Sequence, residues 1–164
     1  MNKLEYIPGD LVMTNGVPIC TAKDVVYRVT SSDPSKTLKL DDGTVLKGVV
    51  CLENIEGAEV GDKGYLFGDC CAWVKDIVPI PLTKDILLEN GWKVSRDSLL
   101  LKIDDNVTLG IVFAFDHKVC YVRETNDNIH KEQCFARLGL SDVNSVSDLQ
   151  HILYIFHLNS EMEV

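Results

Sequence analysis

The chain has 164 residues, 46% hydrophobic and 25% charged, which is ordinary globular usage and gives no reason to expect disorder. Sixteen Lys and Arg against 25 Asp and Glu give a net charge of -9, so direct binding of nucleic acid is not expected, because a polyanion would be repelled. The first residues contain no apolar run of signal-peptide length, and no later run reaches the length of a membrane helix, which predicts a cytoplasmic protein without a membrane partner.

Residues 1–80 are predicted to form a β-rich subdomain of short strands and turns. Thr14-Asn15-Gly16 between the apolar runs Leu11–Met13 and Val17–Cys20 is typical of a tight hairpin, since Asn and Gly tolerate positive φ. A strand at Val25–Thr30 is expected to break at the polar segment Ser31–Ser35. This part of the chain therefore begins with a hairpin and an isolated strand.

A second hairpin is predicted where Thr37–Leu40 and Thr44–Leu52 flank Asp41-Asp42-Gly43. Polar residues 53–64 are expected to be a surface connection, after which Tyr65–Phe67 and Cys71–Val78 resume strand character. So many short strands would leave several open edges, and closure removes edges. The prediction for this half is a small barrel-like antiparallel sheet.

Residues 81–164 are predicted to form an α+β subdomain that packs with the first as one compact unit. Pro79-Ile80-Pro81 cannot complete a strand ladder, and Thr83 is placed to cap a short helix that runs to Asn90. Leu82 and Leu87 occupy the positions of a hydrophobic staple, and Gly91 suits the left-handed residue that ends a helix.

An antiparallel meander follows this helix, with strands at Ser98–Ile103, Val107–Phe115 and Val119–Arg123. Apolar residues then recur at helical spacing from Val146 to Phe156, and Ser147–Gln150 has the form of a capping box, which predicts a C-terminal amphipathic helix of about three turns. The predicted fold class is α+β, mostly β.

No pattern in the chain predicts a metal or cofactor site. The glycine series Gly57, Gly61, Gly64 and Gly68 is crowded by acidic residues and no helix follows it, which argues against a phosphate loop. There is no CxxC or HExxH motif. The six cysteines are expected to be thiols that act as small buried hydrophobes, because the chain is read as cytoplasmic.

Four residues are candidates for binding a small anionic ligand, because aromatic rings stack on flat molecules and guanidinium groups bind anions. They are Arg28, Trp73, Tyr121 and Arg123. Ordinary sheet packing is the competing interpretation of the same residues. A cysteine-dependent enzyme, with Cys71 and His117 as nucleophile and base, is the alternative to a non-enzymatic protein.

Two motifs resemble small uncharacterised proteins of phages and prophages of gut Bacteroidales. They are the junction Pro79-Ile80-Pro81-Leu82-Thr83 with Leu87 and Gly91-Trp92, and the terminal segment that begins Leu149-Gln150 and contains Leu153-Tyr154. Residues 129–144 depart from that pattern as an insertion.

The resemblance transfers no catalytic residue. It implies a host-takeover or counter-defence factor in the cytoplasm of the host cell, which occupies a host protein or sequesters a nucleotide-derived immune signal. A viral structural or assembly protein is the alternative within the same context. A homodimer is the default expectation for its assembly.

Overall fold

The computed structural model describes residues 6–55, 70–114, 118–125 and 134–164. The chain divides into two compact units, Met1–Ile80 and Pro81–Val164. Each unit contains one antiparallel five-stranded sheet, and the second also contains a C-terminal helix. The predicted class, α+β and mostly β, is therefore confirmed. No helix in the described part of the chain has the length and apolar character needed to cross a membrane.

The N-terminal sheet has the strand order β4-β3-β2-β1-β5. Its strands are β1 (Leu11–Thr14), β2 (Tyr27–Lys39), β3 (Val45–Asn54), β4 (Cys70–Trp73) and β5 (Ile77–Pro79). The edge strands β4 and β5 are joined by a single 3-10 turn at Val74–Asp76. Three residues span roughly 10 Å at most, so the sheet curls until its two edges approach each other. The edges do not pair among the described residues, and the sheet is not closed into the expected barrel.

Side chains from one face of this sheet, together with Tyr6 before β1, form the core of the N-terminal unit. The buried members are Tyr6, Val12, Tyr27, Val29, Val50, Leu52, Ala72 and Ile77. Along β3 the buried residues Val50 and Leu52 alternate with Val49, Cys51 and Glu53, which are half-buried or exposed. We call the face that carries Val49, Cys51 and Glu53 the outer face, since successive strand residues point to opposite sides.

The hairpin predicted at Thr14-Asn15-Gly16 is wrong. β1 pairs with β2 and β5, and residues 17–20 form no strand. The Asn15 side chain donates to Asp76 Oδ1 at 2.9 Å, and the backbone N–H of Asn15 donates to the Asp76 carbonyl at 2.9 Å. These long-range bonds fix Asn15 against the end of β5, and Pro18 has no N–H with which to continue a ladder.

The break predicted at Ser31–Ser35 is also wrong, because β2 continues through it to Lys39. The strand accommodates the polar segment with register shifts between Val29 and Ser31 and between Asp33 and Thr37. Asp33 Oδ1 accepts from the backbone N–H of Ser35 at 3.0 Å, so the residue after Pro34 still has a hydrogen-bond partner. The second predicted hairpin is confirmed, with Gly43 in its turn at φ +86°.

The C-terminal sheet has the order β10-β9-β8-β7-β6. Its strands are β6 (Lys93–Ser95), β7 (Ser98–Lys102), β8 (Val107–Phe113), β9 (Lys118–Thr125) and β10 (Cys134–Asp142). The predicted meander corresponds to β7, β8 and β9. The sequence prediction omitted β10, which contains Gly139 and pairs with β9 through two register shifts. Such irregularities weaken the two-residue periodicity that marks a strand.

Helix α1 (Lys84–Glu89) has the ends that the sequence predicts. The Thr83 side chain accepts from the backbone N–H of Ile86 at 3.2 Å, which satisfies one of the unpaired donors of the first turn. Gly91 follows the C-cap residue Asn90 at φ +83°, a conformation that costs little without a Cβ. Leu87 is fully buried.

Helix α2 (Val146–Ile155) is confirmed, but its capping box differs from the prediction. Ser145 is the N-cap and Asp148 completes the box, with Asp148 N–H donating to Ser145 Oγ at 3.2 Å and Ser145 N–H donating to Asp148 Oδ2 at 3.1 Å. The helix begins two residues earlier than Ser147 would place it. Its buried residues include Val146, Leu149, Ile152 and Leu153.

Hydrogen bonds join the two ends of the C-terminal unit. The backbone N–H of Leu82, before α1, donates to the carbonyl of Asn144, before α2. The Asn90 amide donates to the carbonyl of Glu163 at 2.8 Å and accepts from its N–H at 2.9 Å. The last residues of the chain are thereby held against the C-terminus of α1.

Candidate functional site

Arg28 lies on β2 beside Glu53 of β3, and the two form an ion pair. Arg28 Nη1 and Glu53 Oε1 are 3.3 Å apart, with 42% and 48% of the two side chains exposed. A pair this exposed adds little stability, because solvent screens it and two long side chains must be ordered. The Arg28 charge is already partly balanced by a carboxylate, which makes it a weaker anchor for an anionic ligand than the sequence suggests.

Trp73 is the last residue of β4 and is half-buried. It pairs with Val49, whereas Arg28 pairs with Glu53, four residues further along β3. Four strand residues span roughly 13 Å, so the indole and the Arg28–Glu53 pair are well separated along the outer face. These two predicted ligand residues share one sheet but do not converge on one point.

Tyr121 of β9 is buried and packs over Gly110 of β8, with which it pairs. Its hydroxyl donates to Ser98 Oγ of β7 at 3.2 Å, so the ring crosses β8. A Cβ at position 110 would overlap the Tyr121 ring. The phenol therefore covers a glycine in the middle of the sheet, an arrangement that the packing interpretation describes.

Arg123 lies two residues beyond Tyr121 and so on the same side of β9. It pairs in register with Thr108 on β8 and with Arg137 on β10. Its Nε is buried and has no hydrogen-bond partner among the residues that the structure describes. A donor left in that state costs free energy, which a bound acceptor would recover.

The four predicted ligand residues thus divide into two pairs. Arg28 and Trp73 belong to the unit Met1–Ile80, while Tyr121 and Arg123 belong to the unit Pro81–Val164. In the first pair the Arg28 charge is partly balanced by Glu53, and in the second the Tyr121 ring already packs over Gly110. Their shared role in one ligand site stays a prediction.

A pair of cysteines on the outer face was missed as a pair by the sequence analysis. Cys51 of β3 and Cys71 of β4 are direct cross-strand partners, and their Sγ atoms are 2.7 Å apart. Cys51 is half-buried and Cys71 is exposed. The available signal was the prediction of strands at both Thr44–Leu52 and Cys71–Val78, but their pairing register could not be read from either strand alone.

The other described cysteines differ from this pair. Cys70 Sγ donates to the carbonyl of Ile19 at 2.8 Å, and burial, with smaller contributions from Cys20 and Cys51, raises the pKa of its thiol. Burial raises the pKa of the Cys120 thiol to about 11. The expectation of buried thiols holds for Cys120, but Cys20 and Cys71 are exposed, so for these two it is wrong.

The proposed enzyme pair of Cys71 and His117 is not tested, because His117 lies outside the described residues. The glycine series from Gly57 to Gly68 also lies outside them. Within the described ranges, no group of three or more His, Cys, Asp or Glu side chains could hold a metal ion.

The end of the β2–β3 hairpin extends beyond the rest of the N-terminal sheet. β1 pairs only with Tyr27 and Arg28 of β2, and β4 pairs with β3 only from Val49 onward. Residues 37–47, which we call the ribbon, therefore have only each other as strand partners among the described residues. The ribbon exposes 46% of Leu38, 39% of Leu40 and 49% of Val45.

No known family model, curated protein or solved structure matches the chain.

Proposed function

We propose that the protein is a non-enzymatic binding protein that engages a host protein through the ribbon. The observation that carries this proposal is the end of the β2–β3 hairpin, which extends beyond the neighbouring strands β1 and β4 and exposes three large apolar side chains. An isolated two-stranded hairpin is only marginally stable in water, and exposed strand edges accept strands from partner proteins. Leu38 pairs with Leu46 and Lys39 pairs with Val45, so Val45 lies on the opposite face of the ribbon from Leu38 and Leu40. A partner strand added at the edge of the ribbon would contact both faces, and burial of these side chains would offset the cost of exposing them.

The charge of the chain favours a partner with a basic surface. The protein carries a net charge of -9, and Asp41 and Asp42 lie at the tip of the ribbon. The Thr44 backbone N–H donates to Asp42 Oδ1 at 2.8 Å, and this bond lowers the pKa of the Asp42 carboxyl, so its charge persists well below neutral pH. Complementary charge would speed encounter, and the apolar side chains would supply the short-range contact.

The resemblance to Bacteroidales phage proteins supports a bacterial host protein as the partner, in the role of a host-takeover or counter-defence factor. The host cytoplasm is then the place of action. A viral assembly role is the alternative, and large homomeric complexes of the purified protein in light scattering would favour it. A homodimer alone is compatible with the binding proposal.

The test is affinity capture from a gut Bacteroidales lysate with the immobilised wild-type chain and a double variant, Leu38→Thr with Val45→Thr. Threonine has a high strand propensity, and at position 45 it also keeps the β-branched shape of valine. At both positions it removes apolar surface. Loss of two apolar anchors should cost about 2 kcal/mol or more, or roughly thirtyfold in Kd. The matched control is Val94→Thr, which changes a side chain that is 68% exposed on β6.

Support requires a specific host protein that the wild type and Val94→Thr retain, that the ribbon variant loses, and that moderate salt releases. Retention of the same protein by the ribbon variant would show that another surface binds it. Failure of the wild-type chain to retain any host protein would count directly against the proposal.

A small anion at Arg123 is a second candidate, favoured by the buried Nε, which has no partner within the described part of the chain. Nucleotides bound only to the native state should raise the midpoint of thermal unfolding. The Arg123→Gln variant should lose that shift and Arg28→Gln should keep it, since Arg28 already has Glu53. No shift of the wild type with any nucleotide at saturating concentration would exclude this candidate.

A further inference from the structure

Cys51 and Cys71 have the geometry of a reversible disulfide. They face each other directly on antiparallel β3 and β4, and their Sγ atoms are in contact at 2.7 Å. Directly opposed residues in an antiparallel pair have Cα atoms roughly 4.5–5.5 Å apart, within the range that a disulfide requires. The bond can therefore form without movement of either strand.

The position of the pair also gives reagents access to it. Cys71 is exposed at the sheet edge formed by β4, and Cys51 is half-buried beside it. Cys70, although adjacent in sequence, pairs with Leu52 of the core and lies on the other face. Among the described cysteines, Cys51 is therefore the cross-strand partner within reach of Cys71.

We propose that Cys51 and Cys71 are a redox-active pair that small-molecule disulfides of the glutathione type oxidise to a cross-strand disulfide. The proposal is independent of the binding function of the ribbon, because it concerns β3 and β4 at positions that the ribbon does not include. It assigns a modification site to the outer face, and its chemistry is thiol–disulfide exchange.

The exchange takes two steps. The Cys71 thiol loses its proton to water, and its thiolate attacks one sulfur of the small disulfide, which breaks that S–S bond and releases one thiolate that takes up a proton. The Cys51 thiol then loses its proton, and its thiolate attacks Cys71 Sγ and expels the second small thiolate. Two protein thiols are oxidised and one small disulfide is reduced to two thiols, and an excess of small thiol reverses both steps.

The disulfide would fix the edge strand β4 to β3 and close a loop between residues 20 apart in sequence. A cross-link of this length restricts the unfolded chain, so the oxidised protein should be more stable. For a unit of this size the expected rise in the midpoint of thermal unfolding is roughly 10–20 °C. The same rise is not expected when a thiol is only capped by glutathione.

The experiment incubates the full chain in glutathione buffers of increasing oxidised fraction, then maps the cysteines by mass spectrometry without reduction. The expected result is a peptide pair linked through Cys51 and Cys71, lighter by two hydrogen atoms, together with the rise in midpoint. Dithiothreitol should remove both. Cys51→Ser should instead accumulate a glutathione adduct on Cys71, because the second step has no attacking thiol.

The matched control is Cys70→Ser, which removes the neighbouring cysteine on the other face and should leave the Cys51–Cys71 link and the midpoint shift intact. Linkage of Cys71 to Cys70, Cys20 or a second chain would overturn the proposal. So would a wild-type protein in which Cys71 takes glutathione but never exchanges it for Cys51.

Discussion

Replacement of Gly110 by alanine should destabilise the C-terminal unit, although alanine in place of glycine within a strand usually stabilises. A strand glycine costs about 0.5–1 kcal/mol relative to alanine, because it loses more backbone freedom on folding. At position 110 the added methyl group meets the ring of Tyr121, whose Oη would be 2.5 Å and Cε1 2.6 Å from the new Cβ. The ring has to move, so the substitution should lower the free energy of unfolding instead of raising it.

The expected cost follows from what Tyr121 would lose. Overpacking of a filled site costs about 1–3 kcal/mol. Displacement of the ring also breaks the hydrogen bond from Tyr121 to Ser98, worth about 1 kcal/mol, and exposes part of a side chain that is 4% accessible. After the gain in backbone entropy is subtracted, Gly110→Ala should lower the free energy of unfolding by about 3 kcal/mol.

The assay is equilibrium unfolding in urea, followed by tryptophan fluorescence in a Trp73→Phe background. The chain has two tryptophans, and Trp92, which is 3% exposed, then reports on the C-terminal unit alone. The double-mutant partner is Tyr121→Ala, which removes the ring that the methyl group would meet. In that background Gly110→Ala should be neutral or slightly stabilising.

Tyr121→Phe supplies the control for the hydrogen bond. It removes the bond to Ser98 but keeps the ring, so Gly110→Ala should still destabilise in its presence. A neutral effect of Gly110→Ala in the wild type would refute the contact between the ring and position 110. An equal cost in the Tyr121→Ala background would refute the ring as its cause.

Two further predictions concern the C-terminal unit. Asn90→Ala removes both hydrogen bonds to the backbone of Glu163, so amide hydrogen exchange at Glu163 should accelerate. The free energy of unfolding should fall by about 1–2 kcal/mol. Unchanged exchange at Glu163 would exclude this attachment of the chain end to α1. Burial raises the pKa of the Cys120 thiol from 9.0 to about 11, because the folded protein disfavours the thiolate. The stability that the protonated thiol contributes is therefore fully present below pH 9 and is lost as the pH rises through 11. Urea titrations across that range should show that the free energy of unfolding falls by up to about 2–3 kcal/mol more in the wild type than in Cys120→Ala. Equal losses in the two proteins would contradict the raised pKa of Cys120.

Local signals predicted the local structure well. Thr83 and Gly91 mark the ends of α1 because their chemistry acts within one turn of the helix. The turn at Asp41-Asp42-Gly43 was predicted for the same reason, since a side-chain oxygen of Asp42 satisfies the backbone N–H of Thr44. Elements of this kind depend on residues within four positions of one another.

Contacts between distant residues account for the errors. Asn15 and Gly16 resemble a hairpin turn, yet Asn15 bonds Asp76, 61 residues away, and β1 pairs with β5 instead of residues 17–20. The same limit applies to the candidate sites. Each of Arg28, Trp73, Tyr121 and Arg123 has the chemistry of a ligand residue, but Glu53 beside Arg28 and Gly110 beneath Tyr121 are known only once strand register is known.

The attachment of the chain end to α1 places unequal constraints on its two partners. Asn90 uses its side-chain amide, whereas position 163 contributes only backbone N–H and carbonyl groups. Every residue except proline carries both groups, so many residues at position 163 could keep the bonds, whereas position 90 requires a side chain that donates and accepts at once. Across natural variants of this chain, sequence drift should accumulate at position 163 while Asn90 persists.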